Sequence, residues 1–423
     1  MPARNRAAAS TSGVVTARIL VRRRLALSPP VATAARTVYR PSIDVVIVGA
    51  GTFGASLAWW LARTGEQVTL VDQFEPGDAR ASSGGETRLY RCAHGPDADY
   101  TAMARRARTL WRELEDESSE ELLIECGLAW FAHREHGWEA ESERTLAAHD
   151  IPAERLDLAS AADLYPSFRS DDLAFVLIEP EGGVLRAQRA VRALAAQAAA
   201  HGARIVRGRA RPDGGAAVLD DSTRLEGDLV VWACGPWLGR LFPDLVSLFV
   251  TRQELLFFDG GPAWRAPDLP SWCDYDRARY GTADIDGLGV KAAIDDLGPP
   301  LDPDAELGNE ATTEAEVRAY LHDRFPALEH AHLVEARSCR YELTPDTHFI
   351  AAPHPEHPRV WLVGAGSGHG FKHGPPMAER LARTFREGTT LPGHFALGER
   401  QPSAGMRTAS SGVPDQAPGW ASS

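Results

Sequence analysis

The clearest pattern in the chain is Val45-Val46-Ile47-Val48, an unbroken β-branched run with no polar alternation, as in a parallel strand buried on both faces. Glycines follow at Gly49, Gly51 and Gly54, and apolar residues then recur at helical spacing over Ala55–Arg63 until Gly65. Gln67–Val71 is a second apolar run, ending at Asp72. The pattern predicts strand, glycine turn, helix and strand in that order.

Further along, Tyr100–Glu121 has one apolar helical face that carries Trp111 and Leu114. Leu128–Ala132 and Ala174–Leu177 read as strands, Ala187–His201 as a helix stopped by Gly202, and Arg204–Val206 as a strand. Ala216–Leu219 with Thr223–Leu225 suggests a hairpin, and Asp228–Gly235 a buried strand that ends in a tight turn. Strands alternating with helices indicate an α/β chain with a largely parallel sheet.

The chemistry of the first turn follows from its spacing. In Gly49-x-Gly51-x-x-Gly54, the first glycine permits a sharp turn, the second a close approach to a pyrophosphate, and the third close packing of helix on strand. The helix N-terminus then directs free N–H groups at the phosphates, and an acid at Asp72 suits a ribose hydroxyl. This is a dinucleotide cradle, and by itself it does not separate FAD from NAD.

Composition narrows the class. Lys+Arg total 45 against Asp+Glu 58, so the chain lacks the basic footprint of a nucleic-acid binder. At 423 residues it has room for two domains. The five cysteines, Cys92, Cys126, Cys234, Cys273 and Cys339, are dispersed without a C-x-x-C pair, which points to a reducing, cytoplasmic compartment. No membrane span is expected, because glycines and the cradle account for the apolar stretch from Val45 to Ala62. Residues 1–41 are arginine-rich and acid-free, which fits either an organellar targeting segment or an extended translation start. Residues 388–423 read as a loose tail.

Four segments together resemble the FAD-dependent amine oxidases of the D-amino-acid oxidase superfamily, most closely the monomeric sarcosine oxidase and N-methyltryptophan oxidase group. They are the cradle Asp44–Gly54, the loop Gly85–Arg91, Gly289-Val290-Lys291, and the run from Ser338 through Gly366, Gly368, His369, Gly370 and Lys372. The resemblance implies FAD, with Cys339 as its covalent attachment point and Thr87, Arg88 and His369 beside the flavin. It implies that Tyr280 and Tyr341 line the substrate site, that Lys291 promotes the reaction with oxygen, and that Arg91 and Lys372 grip a substrate carboxylate. Taken singly, Lys291 would be a surface lysine and Cys339 a small buried hydrophobe. Arginine binds a carboxylate bidentately and lysine adds a point charge, so that pair suits an amino acid.

Two positions depart from the family pattern. Asp295 stands where sarcosine-type members carry a histidine, and Gly84 stands where a histidine precedes the G-D/E-T-R loop. An acid in the pocket favours a more basic amine than sarcosine. Neither His369 with His373 nor His354 with His357 is read as a metal site, since no third ligand lies at suitable spacing.

The expected architecture is a doubly wound, Rossmann-like FAD domain from 42–125, 171–249 and 336–387, with a sheet-based substrate domain from 126–170 and 250–335. The expected activity is oxidation of the C–N bond of a carboxylate-bearing, secondary or N-methyl amine to an imine, with oxygen reduced to hydrogen peroxide by a monomeric enzyme. A dehydrogenase with another acceptor, or a non-catalytic flavoprotein, remain as alternatives at this point.

Overall fold

Two large sheets carry the architecture. The computed structural model describes residues 41–401, so the expectations for 1–40 and 402–423 lie outside the described residues. A six-stranded sheet has Asp44–Val48 at its centre, with Gln67–Asp72 and Arg204–Arg207 on one side and Leu229–Trp232, Val360–Gly364 and Ile350–Pro353 on the other. All neighbours pair in parallel except the last two.

One face of this sheet is covered by helices, including Thr52–Arg63, Ala187–Ala200 and Gly374–Glu387, in the largest apolar core. Thr52–Arg63 is buried along nearly its whole length, which explains why its apolar residues run round the helix. The other face packs on the small antiparallel sheet Ala210–Asp213, Ala216–Leu219 and Arg224–Leu225 instead of on helices. That sheet contains the expected hairpin.

The second large sheet has eight strands, in the order Leu333–Leu343, Phe249–Phe258, Val290–Ile294, Arg279–Thr282, Ser271–Asp274, Leu128–Ala132, Phe175–Glu179 and Glu154–Leu156. Period-two alternation divides its residues between two faces. Val290, Ala292, Leu256 and Trp272 face one apolar core. Lys291 opposes Thr282 and Phe257, Tyr280 opposes Cys273, and Cys339 opposes Gln253. Lys291, Tyr280, Cys273, Cys339 and Tyr341 therefore share the other face.

Sheet membership differs from the expected segments at three strands. Phe175–Glu179, Phe249–Phe258 and Leu333–Leu343 all belong to the eight-stranded sheet, although parts of them fall inside the segments assigned to the cofactor domain. Buried strands in either sheet have the same apolar signature, so periodicity cannot apportion them. The tail expectation is corrected over 388–401. Phe395 is fully buried against Tyr100 and Phe349, and Arg400 pairs with Asp346 at 2.8 Å.

Candidate active site

The glycine turn sits at the carboxyl ends of the central strands, where open α/β sheets bind ligands. Gly49 has φ of +107°, and a Cβ there would lie 2.3 Å from the Ala233 carbonyl oxygen. At Gly54 a Cβ would lie 1.8 Å from the Gly49 carbonyl oxygen, so this glycine is needed for the helix to dock under its own turn. Gly51 is the N-cap, has no side chain of its own to cap the helix, and lines a cleft together with Thr52 and Phe53.

Asp72 braces the turn. One carboxylate oxygen accepts from the Ala50 amide at 2.6 Å and the other from Phe74 at 2.7 Å, while burial raises its pKa. It also lines the cleft, so the acid expected to meet a ribose has a second task in shaping the loop.

This open cleft, about 1210 Å³ with the solvent at its mouth included, runs from Asp72 and the glycine turn past Arg88 to Gly366, Gly368 and Gly370. Sequence reasoning missed several of its supports. Ser83 Oγ accepts from the Thr52 amide at 2.9 Å, and Ser82 donates to the buried Glu342 at 2.6 Å. Glu342 also accepts from the Gly366 amide at 3.3 Å, which joins the loop after the strand Gln67–Asp72 to the carboxyl-terminal glycines. A serine or glutamate of this kind carries no spacing signal, since its partner is distant in sequence.

The residues present fit FAD. The helix N-terminus that lines the cleft suits a pyrophosphate, and the glycine-lined groove continues from Asp72 to residues it shares with the second cavity.

That second cavity, about 650 Å³, shares Arg88, Tyr341, Gly368 and Phe371 with the first. It brings together Arg91, Lys372, Lys291, Tyr280, Tyr341, Asp295, Cys339 and His369, all of them named from sequence. Gly54 and Thr87 line neither cavity. Gly54 sits beneath the turn, and Thr87 is a buried support.

Lys291 is 1% exposed. Its Nζ donates to Thr87 Oγ1 at 3.2 Å and lies 5.2 Å from the centre of the Tyr280 ring. Burial, with the Arg88 charge adding to it, lowers its pKa from 10.5 to about 7. Arg88 is held by the Ser82 and Gly84 carbonyls, each at 2.7 Å. Burial raises the pKa of the Cys339 thiol, although Arg88 and Lys291 pull the other way. The hydroxyls of Tyr280 and Tyr341 lie 3.4 Å apart, and burial lifts the Tyr280 pKa well above 10.0.

Two buried cations form one wall. Arg91 follows the strand Thr87–Tyr90, donates to the Ala93 carbonyl, and stacks its guanidinium 5.3 Å from the Trp130 ring centre. The fully buried carboxylate of Glu179 accepts from the Cys92 amide at 2.7 Å, the Ala93 amide at 3.2 Å and Trp130 Nε1 at 2.8 Å, fixing the chain directly after Arg91. Lys372 lies in the turn Phe371–His373 that precedes the helix Gly374–Glu387, and its Nζ donates to the His369 carbonyl at 3.0 Å. Asp295 is half-buried at the end of the strand that carries Lys291, four residues on, and so leans to the same side.

The histidine expectation is corrected on one point. His94 joins His369 and His373, all three buried, with potential ligand atoms within 4.8 Å of one another. Spacing could not reveal this third member, which is 279 residues from His373. Burial first, then the Lys372 and Arg91 charges, hold His94 and His373 well below 6.5, and those same charges oppose any further cation among them.

All five cysteines are free. Among the described residues no helix is long and apolar enough to cross a membrane.

Comparison with known proteins identifies the family. The FAD dependent oxidoreductase family model matches residues 44–384. Monomeric sarcosine oxidase from Bacillus sp. (strain B-0618) is 29% identical over 365 residues, spanning 82% of this chain and 93% of that protein. N-methyl-L-tryptophan oxidase from Yersinia pestis (strain Pestoides F) is 25% identical over 349 residues, spanning 80% and 94%. In fold the chain is similar to NikD, an unusual amino acid oxidase essential for nikkomycin biosynthesis, with a TM-score of 0.70 at 22% identity over 86% of this chain and 98% of that one. Glycine oxidase from Geobacillus kaustophilus gives a TM-score of 0.70 at 21% identity, covering 85% and 99%. A family match spanning both sheets, joined to a dinucleotide cradle that opens into a cation-lined cavity, makes this chain a member of the FAD-dependent oxidoreductases, an amine oxidoreductase of sarcosine-oxidase-like type acting on CH–NH.

Proposed function

We propose that this chain oxidises a secondary or N-methyl amino acid at the C–N bond, passes the electrons to oxygen as a monomeric enzyme, and releases an imine and hydrogen peroxide. When bound, FAD accepts a hydride equivalent from the carbon next to nitrogen. The protein's own residues supply position and charge. Arg91 and Lys372 hold the carboxylate, and the Tyr280 and Tyr341 rings close the cavity beside it. Lys291 offers a proton-bearing group in a dry site, where a developing negative charge on oxygen is stabilised most strongly.

The observation that carries this reading is the convergence of two buried cations with Lys291 and Cys339 in one small cavity that opens onto the cofactor cleft. Cys339 is the attachment point we assign to the flavin. The neighbouring Arg88 and Lys291 charges favour the thiolate needed for that bond, although burial works against it. Asp295 brings a carboxylate into the pocket and shifts preference from sarcosine toward a more basic amine.

The test is anaerobic bleaching of the visible absorbance of the purified protein by N-methyl amino acids, cyclic imino acids, D-amino acids and amines without a carboxylate. Bleaching confined to carboxylate-bearing secondary amines is the expected outcome, with yellow colour kept in the acid-precipitated pellet. Equal bleaching by amines that lack a carboxylate would remove Arg91 and Lys372 from substrate binding.

A further inference from the structure

Two cations placed to bind one carboxylate repel each other until that carboxylate arrives, and the repulsion grows with burial. Arg91 and Lys372 come from opposite ends of the chain and both are buried, so something other than their own charges must hold their segments together.

We propose that the His94–His373 pair is the strut that does so, which makes these two histidines positioning residues for substrate binding. The inference rests on the assignment of Arg91 and Lys372 to the substrate carboxylate. His94 lies three residues after Arg91, and His373 directly follows Lys372. Their Nε2 atoms are 3.3 Å apart. Neither ring lines the substrate cavity.

The proton arrangement follows from the partners. His94 Nδ1 lies 2.9 Å from the Cys92 carbonyl oxygen, which can only accept, so Nδ1 carries the hydrogen. In the neutral ring Nε2 is then an acceptor, and His373 Nε2 must donate to it. His373 Nδ1 remains as a buried lone pair with no hydrogen-bond partner among the described residues. A proton there would find no acceptor, and a proton on His94 Nε2 would face another N–H. With both rings neutral, the bond forms without adding a charge to the site.

The surroundings keep them neutral. Besides each other, the charged and titratable groups facing the pair are Lys372, Arg91, His369, Arg380 and the stacked Tyr100 ring, whose centre lies 5.6 Å from that of His94. Burial and the cations both disfavour a further positive charge. A carboxylate in place of either ring would tie the segments together more strongly, yet it would pair with Arg91 or Lys372 and withhold that cation from the substrate. A neutral histidine pair joins the two segments and leaves both charges available.

The experiment compares wild type with His94→Phe, which removes the acceptor, and His94→Gln, whose amide reaches the position of Nε2 and can accept from His373. Acetate is the probe, and its binding is read from the flavin spectrum beside KM and kcat for a carboxylate-bearing amine. We expect His94→Phe to weaken acetate binding and raise KM about tenfold, the loss of roughly one hydrogen bond. We expect kcat to stay within about twofold, and His94→Gln to recover most of the affinity. Should His94→Phe lose its flavin, His373→Phe removes the same bond from the other side and is held to the same outcomes. Unchanged acetate binding, or a His94→Gln variant as weak as His94→Phe, overturns the strut. Failure of wild type to bind acetate or to prefer carboxylate-bearing amines overturns the carboxylate assignment itself, and the strut with it.

Discussion

Lys291 shows what burial does to a single group. Its folded pKa of about 7 lies below the ordinary 10.5, so between those values the folded chain holds it neutral while the unfolded chain keeps its proton. Its burial therefore costs the fold stability most fully below about 7, and the cost is relieved as pH rises toward 10.5. If the protonated form assists the reaction with oxygen, the reoxidation rate of the reduced enzyme falls as pH rises. The midpoint lies at or above about 7, since an anionic ligand beside Nζ moves it upward. Lys291→Met should slow reoxidation on the order of 10²-fold and flatten that profile, both read by stopped-flow mixing with oxygen. A profile for the variant that parallels wild type would remove Lys291 from the oxygen reaction.

At the scale of elements, the strand–turn–helix unit depends on close approach more than on charge. A Cβ at Gly54 would overlap the Gly49 carbonyl oxygen at 1.8 Å, and backbone on both sides cannot yield easily. We expect Gly54→Ala to lower stability by about 1–3 kcal/mol and to deplete the bound flavin, measured by thermal unfolding and by absorbance per chain. Gly65→Ala is the matched comparison. A Cβ there meets nothing within 4 Å, so only its φ of +91° is strained and the flavin should stay. This element was legible because three glycines, a buried strand and an acid obey one spacing. The eight-stranded sheet was far less so. Phe249–Phe258 and Leu333–Leu343 pair along their length from opposite sides of an intervening stretch, and nothing local marks strands as partners.

Across the whole molecule, buried charge ties distant segments. Arg324 donates to both oxygens of Asp172 at 2.7 and 2.9 Å and to Asp274 at 3.2 Å, and Asp274 is fully buried and also meets His133 at 2.8 Å. Arg324→Met strands the Asp274 carboxylate and should lower stability by about 3–5 kcal/mol, seen as a reduced denaturant midpoint. The adjacent Cys273 lines the second cavity, so KM in the folded variant reports whether the network also shapes the proposed substrate site. A midpoint within experimental error of wild type would mean that Asp274 is adequately served by His133.

By itself the sequence determined what short spacing can encode: the cradle Gly49–Gly54, the acid at Asp72, the order of strands and helices around that cradle, and, through family resemblance, residues that line the second cavity. These signals are local in the chain, and helix and strand periods or motif spacing preserve them. Tertiary structure alone decided that Glu342 and Ser83 brace the cofactor cleft, that Glu179 fixes the chain beside Arg91, and that His94 meets His373. Each is a contact between segments far apart in sequence, and an isolated serine, glutamate or histidine carries no pattern that names its partner.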